Sequence, residues 1–153
     1  MAKKSAGILV FRRRGHGIEV LLGHPGGPFW ANKDDGAWSI LKGEFEDEEP
    51  LAAAKREFAE EAGFAVDGEF IALAPLRQKS GKTNHFFALE RDVDPARARS
   101  NLFSMEWPPG SGKVGEYPEI DRVAWFGLDA ARRKIQAGQR PALDELERRL
   151  SRN

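Results

Sequence analysis

Residues 50–63, "PLAAAKREFAEEAG", carry the clearest secondary-structure signal in this chain. Pro50 suits the first turn of a helix, and Gly63 stands where a helix commonly ends. Four apolar positions between them recur at helical spacing and share one face: Leu51, Ala54, Phe58 and Ala62. We predict a helix over residues 50–62 that packs on a sheet through this face.

Three glutamates, Glu57, Glu60 and Glu61, crowd the end of this predicted helix. They are expected to project together from a sector roughly 120° away from the apolar face. Neighbours at i,i+3 and i,i+4 repel by roughly a few tenths of a kcal/mol, and Arg56 can pair with Glu60 without touching the other two. A divalent cation would turn this repulsion into attraction, and Mg²⁺ prefers carboxylate oxygens beside phosphates. The alternative is that the three are ordinary solvated surface charges.

The composition fits a soluble intracellular protein of one domain over residues 1–153. The 24 basic and 24 acidic side chains cancel, so the global charge favours neither nucleic acid nor an anionic membrane as a partner. With no cysteine, disulfides, thiolate metal sites and a cysteine nucleophile are excluded. The first residues show neither a membrane span nor a signal peptide, so we expect a cytoplasmic location.

Short strand-like runs precede the helix. "AGILVF" (6–11) and "IEVLLGH" (18–24) indicate an antiparallel hairpin. Residues 24–37, rich in glycine and proline, predict a long irregular loop, which is either functional or a mere connector.

After the helix, "EFIALAPLRQ" (69–78) and "TNHFFALER" (83–91) predict strands. Residues 91–118 are mostly loop-like, with a possible short strand at 102–107, and "DRVAWFGL" (121–128) predicts a last strand. The tail from Asp129 predicts helix broken near residues 137–141, with an apolar stripe that we expect to pack in the core: Leu143, Leu146 and Leu150. Strands interleaved with helices indicate an α/β or α+β domain with helices on a mixed sheet.

The wider stretch "WSILKGEFEDEEPLAAAKREFAEEAGF" (38–64) resembles the Nudix box, the signature of the Nudix hydrolases. The box would run over residues 43–64, starting at Gly43. Its helical half matches the family pattern of Arg-Glu, an apolar residue, any residue, Glu-Glu, any residue, Gly and an apolar residue. The matching positions are Arg56, Glu57, Phe58, Glu60, Glu61, Gly63 and Phe64.

The loop half of the box departs from the family pattern. Counting back from Arg56 gives Glu48 as the first box glutamate, which leaves the loop after Gly43 one residue short, while Glu49 would shorten the helical half instead. We favour Glu48 with a one-residue deletion in the loop, because a deletion within a helix would rotate every later side chain by about 100°.

The resemblance implies an α/β/α sandwich with a mixed β-sheet between helices. It also implies hydrolysis of a nucleoside diphosphate linked to another group X, by water attack on phosphorus, with Mg²⁺ or Mn²⁺ required. Glu57 and Glu61 would be direct metal ligands, Glu60 a ligand or a base that orients water, and Arg56 part of the same catalytic set. The backbone carbonyl of Lys42 would also coordinate metal.

Further residues are candidates for contact with substrate. The Lys42 ammonium and Arg77 could meet phosphates, although single basic residues are usually just solvated. Nudix enzymes often take an acid from a late loop, and Glu119 is expected to fill that role here, with Glu116 as its rival.

Other motifs carry weaker signals. Residues 110–113, "GSGK", lack the spacing of a phosphate-binding Walker loop. The histidines His16, His24 and His85 show no ligand spacing and are expected to be surface or packed residues. Three aromatic residues in loop-like segments could stack on a base, or could pack in the core: Phe29, Trp30 and Trp107.

A second function stands beside the enzyme, namely a Nudix domain that binds a nucleotide and regulates without hydrolysing it. The retained glutamates Glu57, Glu60 and Glu61 favour the enzyme. The expected partner is a small nucleotide-type molecule, and neither the identity of X nor the oligomeric state can be inferred from the sequence.

Overall fold

The computed structural model describes residues 3–15 and 17–151. Its elements follow in this order: β1 (Lys4–Arg14), β2 (Gly17–Pro25), β3 (Leu41–Phe45), α1 (Pro50–Ala62), β4 (Ile71–Ala72), β5 (Leu76–Arg77), β6 (Thr83–Glu90), β7 (Leu102–Glu106), β8 (Val114–Pro118), β9 (Ile120–Gly127), α2 (Leu128–Lys134) and α3 (Arg140–Leu150). Short 3-10 turns lie at Pro95–Arg97 and Ala137–Gln139.

Strand β1 organises the main sheet because three other strands pair with it. β6 runs parallel to β1 over residues 4–11. The opposite edge of β1 is divided between two antiparallel partners, β3 along residues 4–8 and β2 along residues 11–14. β9 pairs with β2, while β4 and β5 both pair with β6. The sheet is therefore mixed, and β3 lies directly beside the start of β1.

Alternating side chains of β1 build a hydrophobic layer on each face of this sheet. Ile8 joins the layer that contains Phe58 of α1, whereas Leu9 joins the layer that contains Leu143 of α3. Helices thus cover both faces, and the predicted α/β/α sandwich is confirmed. The predicted apolar stripe of the tail is buried in the second layer: Leu143, Leu146 and Leu150.

Helix α1 has the predicted bounds. Pro50 fits its first turn because the N–H that proline lacks would be unpaired there. Gly63 ends the helix in a left-handed conformation with φ of 82°, and its N–H donates to the carbonyl of Ala59 at 2.8 Å. Leu51 is half-buried and Ala53 is fully buried, so the packed face is turned slightly from the predicted one.

The predicted first hairpin is confirmed by the antiparallel pairing of β1 and β2. His16 lies outside the described part of the chain. β2 continues through Pro25, so the long loop that follows begins at Gly26. Two other expectations need correction. Residues 69–78 form two separate two-residue strands around Pro75, which lacks the N–H that a continuous strand would donate. Residues 114–118, predicted as loop, form β8 and pair with β7 as a separate two-stranded sheet.

No helix within residues 3–15 and 17–151 has the length and apolar character needed to cross a membrane.

Candidate active site

Gly43 brings β3 against helix α1. It lies on β3 between Leu41 and Phe45, which belong to the hydrophobic layer beneath α1, so the Gly43 position faces the same helix. A Cβ atom on Gly43 would stand 1.6 Å from Oε1 of Glu57. The missing side chain therefore provides the space in which the Glu57 carboxylate lies.

Arg56 holds three carboxylates together on the outer side of α1. Its Nε donates to both carboxylate oxygens of Glu48 at 2.9 Å, and its Nη1 donates to Glu57 and, at 3.1 Å, to Glu60. These bonds raise the pKa of Arg56 and lower the pKa of Glu48. The expectation that Arg56 touches Glu60 alone is wrong, because its planar guanidinium presents donors in several directions.

The glutamates of α1 do not share one environment. Glu57 and Glu61 are 7% and 9% exposed, whereas the side chain of Glu60 is 44% exposed. The expectation that all three project together is wrong for Glu60, since it lies on the outward side while the other two turn towards the sheet.

Burial acts on the two inner glutamates. It raises the pKa of Glu57 despite the hydrogen bond from Arg56. Burial, with the neighbouring charges of Glu119 and then Glu57, raises the pKa of Glu61 to about 8. Within the described residues Arg56 contacts Glu48, Glu57 and Glu60 but not Glu61, so Glu61 lacks this cationic partner.

The two candidates for the late acid lie in different places. Glu119 lies between β8 and β9, where its charge acts on Glu61. Its backbone joins two other segments: its N–H donates to Asn101 at 2.8 Å, and its carbonyl accepts from Gly26 at 2.9 Å. Glu116 lies on β8 opposite Ser104. The structure thus brings Glu119 to the α1 glutamates.

The predicted substrate lysine and arginine differ in their relation to these acids. Lys42 alternates with Gly43, so its side chain leaves β3 on the face opposite α1. Burial and then the charge of Lys82 lower the pKa of Lys42, while the charges of Glu44, Glu61 and Glu57 act in the opposite direction. Arg77 is exposed on β5, paired with Thr83 of β6. In the described residues no hydrogen bond or ion pair joins Arg77 to a glutamate of α1.

A cleft of about 320 Å³ opens beside Glu61. Its lining includes two arginines that the sequence did not single out, Arg99 and Arg122. The Arg122 guanidinium packs over the ring of Trp38, at 5.2 Å from its centroid, and the Arg99 guanidinium donates to the carbonyl of Ala98 at 2.7 Å. Arg99 follows the 3-10 turn and its N–H donates to the carbonyl of Ala62 at 2.8 Å, which docks this segment on the end of α1. No spacing along the sequence marks these arginines, because three distant segments of the chain form the cleft.

The acids do not converge as a closed metal site. Within residues 3–15 and 17–151, no three carboxylate or imidazole side chains form a group that could hold a metal ion. Glu57 and Glu61 instead offer hard oxygen donors from the inner side of α1, and Arg56 holds one of these donors. A cation would draw on these two residues and on further oxygens supplied by backbone, water or substrate.

The family of the protein follows from its sequence match. The family model described as NUDIX domain matches residues 1–146. The chain belongs to the NUDIX family. The resemblance drawn from the box is thereby confirmed, and the chain is a hydrolase that acts on phosphorus anhydrides.

Solved structures share the NUDIX fold at low sequence identity. The NUDIX domain of Shewanella oneidensis NrtR, complexed with ADP ribose, has a TM-score of 0.66 and 15% identity, covering 98% of this chain and 89% of that chain. A C. elegans Ap4A hydrolase binary complex has a TM-score of 0.63 and 20% identity, covering 97% and 99%. A mutT/nudix family protein from Listeria innocua has a TM-score of 0.64 and 13% identity, covering 98% and 94%. No curated protein matches the chain.

The box residues can now be placed on the NUDIX fold. Glu48 accepts the fork of Arg56, whereas Glu49 stands at the N-cap of α1 without a capping hydrogen bond from its side chain. Although the loop half is one residue short, it still delivers a carboxylate to Arg56.

Two other sequence features form hydrogen bonds within the protein itself. The "GSGK" loop surrounds an anion of the protein itself, because the Glu106 carboxylate accepts from the N–H groups of Gly110 at 2.8 Å and Gly112 at 3.0 Å. His24 is fully buried and bridges Asp121, at 2.8 Å from Nδ1, and the carbonyl of Lys33, at 2.6 Å from Nε2. It therefore ties the long loop to the start of β9.

Proposed function

We propose that this chain is a divalent-metal-dependent pyrophosphohydrolase that cleaves a nucleoside diphosphate linked to another group X. The observation that carries the proposal is the pair of buried carboxylates, Glu57 and Glu61, on the side of α1 that Arg56 does not fully neutralise. Burying carboxylates is costly unless a cation joins them. Glu61 also borders a cleft of about 320 Å³, in which part of a substrate has room.

The donor set suits Mg²⁺ or Mn²⁺. Glu57 and Glu61 would hold the ion, with the backbone carbonyl of Lys42 as an additional ligand, and all three donors are oxygens. When bound, a dication neutralises charge on phosphate oxygens and lowers the pKa of coordinated water.

The remaining residues would position the reacting groups and accept the proton of the attacking water. Arg56 fixes the Glu57 carboxylate, while the cleft beside Glu61 would receive the phosphates. Water oxygen bonds to one phosphorus as the bridging P–O bond breaks, and the leaving phosphate keeps that electron pair. Glu60 or Glu119 accepts the proton of the water, since both are exposed carboxylates near Glu61.

A substrate panel with matched variants tests this proposal. Two structural neighbours are described with ADP ribose and Ap4A, so both compounds belong in the panel beside nucleoside di- and triphosphates. We expect release of phosphate or nucleotide with Mg²⁺ or Mn²⁺ and none with chelator. Glu57→Gln and Glu61→Gln should each lower kcat/KM by about 10³-fold or more, because several kcal/mol of charge stabilisation is lost.

Glu49→Gln is the control, since Glu49 is exposed and makes no side-chain cap. Cleavage that survives chelation, or full activity in both inner variants, would contradict the proposal. Nucleotide binding without turnover anywhere in the panel would support the regulatory alternative.

A further inference from the structure

A second recess lies across Glu119 from the cleft of Glu61. Its volume is about 290 Å³, enough for one heterocyclic ring with its sugar edge. The recess is lined by the end of β2, the following loop, β7 and the segment before β9: Pro25, Gly26, Phe29, Trp30, Phe103, Met105 and Glu119. We call it the aromatic slot. Among these lining residues Glu119 carries the only charge.

The walls of the aromatic slot are brought together by glycines. A Cβ on Gly26 would lie 1.9 Å from the carbonyl oxygen of Pro118, so no other residue fits at this approach. Gly27 has φ of 94°, and a Cβ there would stand 2.9 Å from Cζ of Phe103. The loop therefore needs both glycines to meet β8 and the ring of Phe103.

Hydrogen bonds hold the same walls in place. The N–H of Gly26 donates to the carbonyl of Glu119 at 2.9 Å, and the buried His24 joins Asp121 to the loop carbonyl of Lys33. Trp30 packs against the core layer of α3. Since the slot is fixed before any ligand enters, little ordering would oppose binding.

Part of the apolar surface of the aromatic slot, the ring of Phe29, is exposed to water. Phe29 is 50% exposed, with the ring of Trp30 edge-on at 5.1 Å and the ammonium of Lys33 at 4.9 Å from its own ring centroid. Aromatic faces and edges exposed in this way gain free energy when another ring covers them. The chemistry of the slot therefore suits a flat heterocycle.

Glu119 connects the slot to the proposed catalytic site. It lines the slot, and the next residue, Ile120, lines the cleft beside Glu61. A molecule with its ring in the slot would carry its next group past Glu119 towards the buried glutamates. A nucleoside diphosphate has this order of parts, with base, sugar and then phosphates.

We propose that the aromatic slot holds the nucleobase of the substrate and recognises it through its faces. This inference rests on the proposed function and adds the residues that would determine specificity, chiefly Phe103 and Phe29. Since Glu119 is assigned to the proposed catalytic site and the rest of the lining is uncharged, the aromatic faces are the main contacts that the slot offers to a base. The protein should therefore require a base but discriminate weakly among bases.

Binding of matched ligands to the full chain with Mg²⁺ tests the slot. AMP and ribose 5-phosphate differ in the base, and isothermal titration calorimetry compares them directly. Stacking on aromatic side chains is worth about 5- to 150-fold in affinity, so AMP should bind at least about tenfold more tightly than ribose 5-phosphate. GMP, UMP and CMP should lie within about fivefold of AMP.

Substitutions in the aromatic slot test which side chains cause the preference for AMP over ribose 5-phosphate. Phe103→Ala and Phe29→Ala should each remove most of the preference for AMP, and the half-exposed Phe29 can be truncated without opening the core. Leu102→Ala is the matched control, because Leu102 is the neighbour of Phe103 on β7 and is 59% exposed. Equal binding of AMP and ribose 5-phosphate, or full preference in both phenylalanine variants, would overturn the slot. One base bound more than about 50-fold better than the others would overturn recognition by faces.

Hydrolysis measured in parallel separates the two proposals. A base preference in a protein that cleaves nothing supports the slot and contradicts the enzyme proposal. Cleavage of anhydrides without any base preference supports the enzyme proposal and overturns the slot.

Discussion

The acids around α1 fall into an outer and an inner group that carry their charge differently. Outside, Glu48 and Glu60 share the guanidinium of Arg56, which lowers the pKa of Glu48. Inside, Glu57 and Glu61 are buried, and burial raises the pKa of both. Glu57 belongs to both groups in one respect, since Arg56 also donates to it.

This difference distinguishes carboxylates that are paired within the chain from carboxylates that a ligand could still pair with. The outer carboxylates already have a partner within the chain, so they need nothing further to remain ionised. The inner pair is held in an environment that penalises ionisation, and a cation at the proposed metal site would offset this penalty. Substitutions and pH can perturb the inner and the outer carboxylates separately.

Among the changes that test this division, Gly43→Ala should give the largest effect. The new methyl group would stand 1.6 Å from Oε1 of Glu57, so the inner carboxylate must move. A displacement of about 1 Å can cost about 10²-fold in rate, and we expect a loss of that order in kcat/KM from steady-state assays. Gly138→Ala is the control, because nothing lies within 4 Å of its Cβ position. Activity of Gly43→Ala equal to that of the control would show that the position of Glu57 does not matter.

The pH dependence of stability should report the inner pair next. The pKa of Glu61 rises from 4.5 to about 8 on folding, so the folded state keeps a proton that the unfolded chain has lost. The contribution of this proton to stability is present below pH about 4.5. Between about 4.5 and 8 it becomes a penalty as the pH rises, of roughly a few kcal/mol in the free energy of unfolding.

Urea unfolding of chelator-treated protein across this pH window measures the effect. Glu61→Gln should flatten the slope relative to the unsubstituted chain, since the amide does not titrate. Added Mg²⁺ should stabilise the unsubstituted protein more at pH about 8 than at about 5, because the cation competes with the proton. Parallel slopes for the two proteins would mean that Glu61 does not keep its proton on folding.

Glu48→Gln should have the smallest effect and decides the role of the shortened loop. Removing this charge weakens the fork of Arg56 and loosens Glu57, so kcat/KM should fall by about tenfold or less. Glu49→Gln, one residue along, should change nothing measurable. A larger loss in Glu49→Gln than in Glu48→Gln would reverse the assignment of the first box glutamate.

Much of the fold could be predicted because it depends on local signals. Pro50 and Gly63 mark the two ends of α1, and the helical half of the box cannot shift without rotating every side chain. The sandwich and the NUDIX family both follow from such patterns. The glycine-rich approach to β8 resembles a loop, so the sequence predicts no strand there, and residues 69–78 predict one strand although Pro75 divides them.

The candidate site was less accessible because its environment is assembled from distant segments. Helical periodicity does not reveal that Gly43 leaves space for Glu57, so the burial of the inner pair was unforeseen. Nor does spacing show that the segments of Arg99 and Arg122 line one cleft beside Glu61. The catalytic roles given to the box residues, to Glu119 and to Arg77, and the extent of one domain over residues 1–153, stay predictions.

The divided edge of β1 has a consequence for how firmly the chemistry is held. A slip of β1 by one residue would turn Ile8 and its neighbours to the wrong side, exchanging the contents of both hydrophobic layers at once. Since β3 takes its register from the first half of β1, such a slip would also carry the backbone at Gly43 away from Glu57. The positions of the acids therefore depend on the packing of both hydrophobic layers. Loss of tight packing in either layer should displace the carboxylates before the chain unfolds.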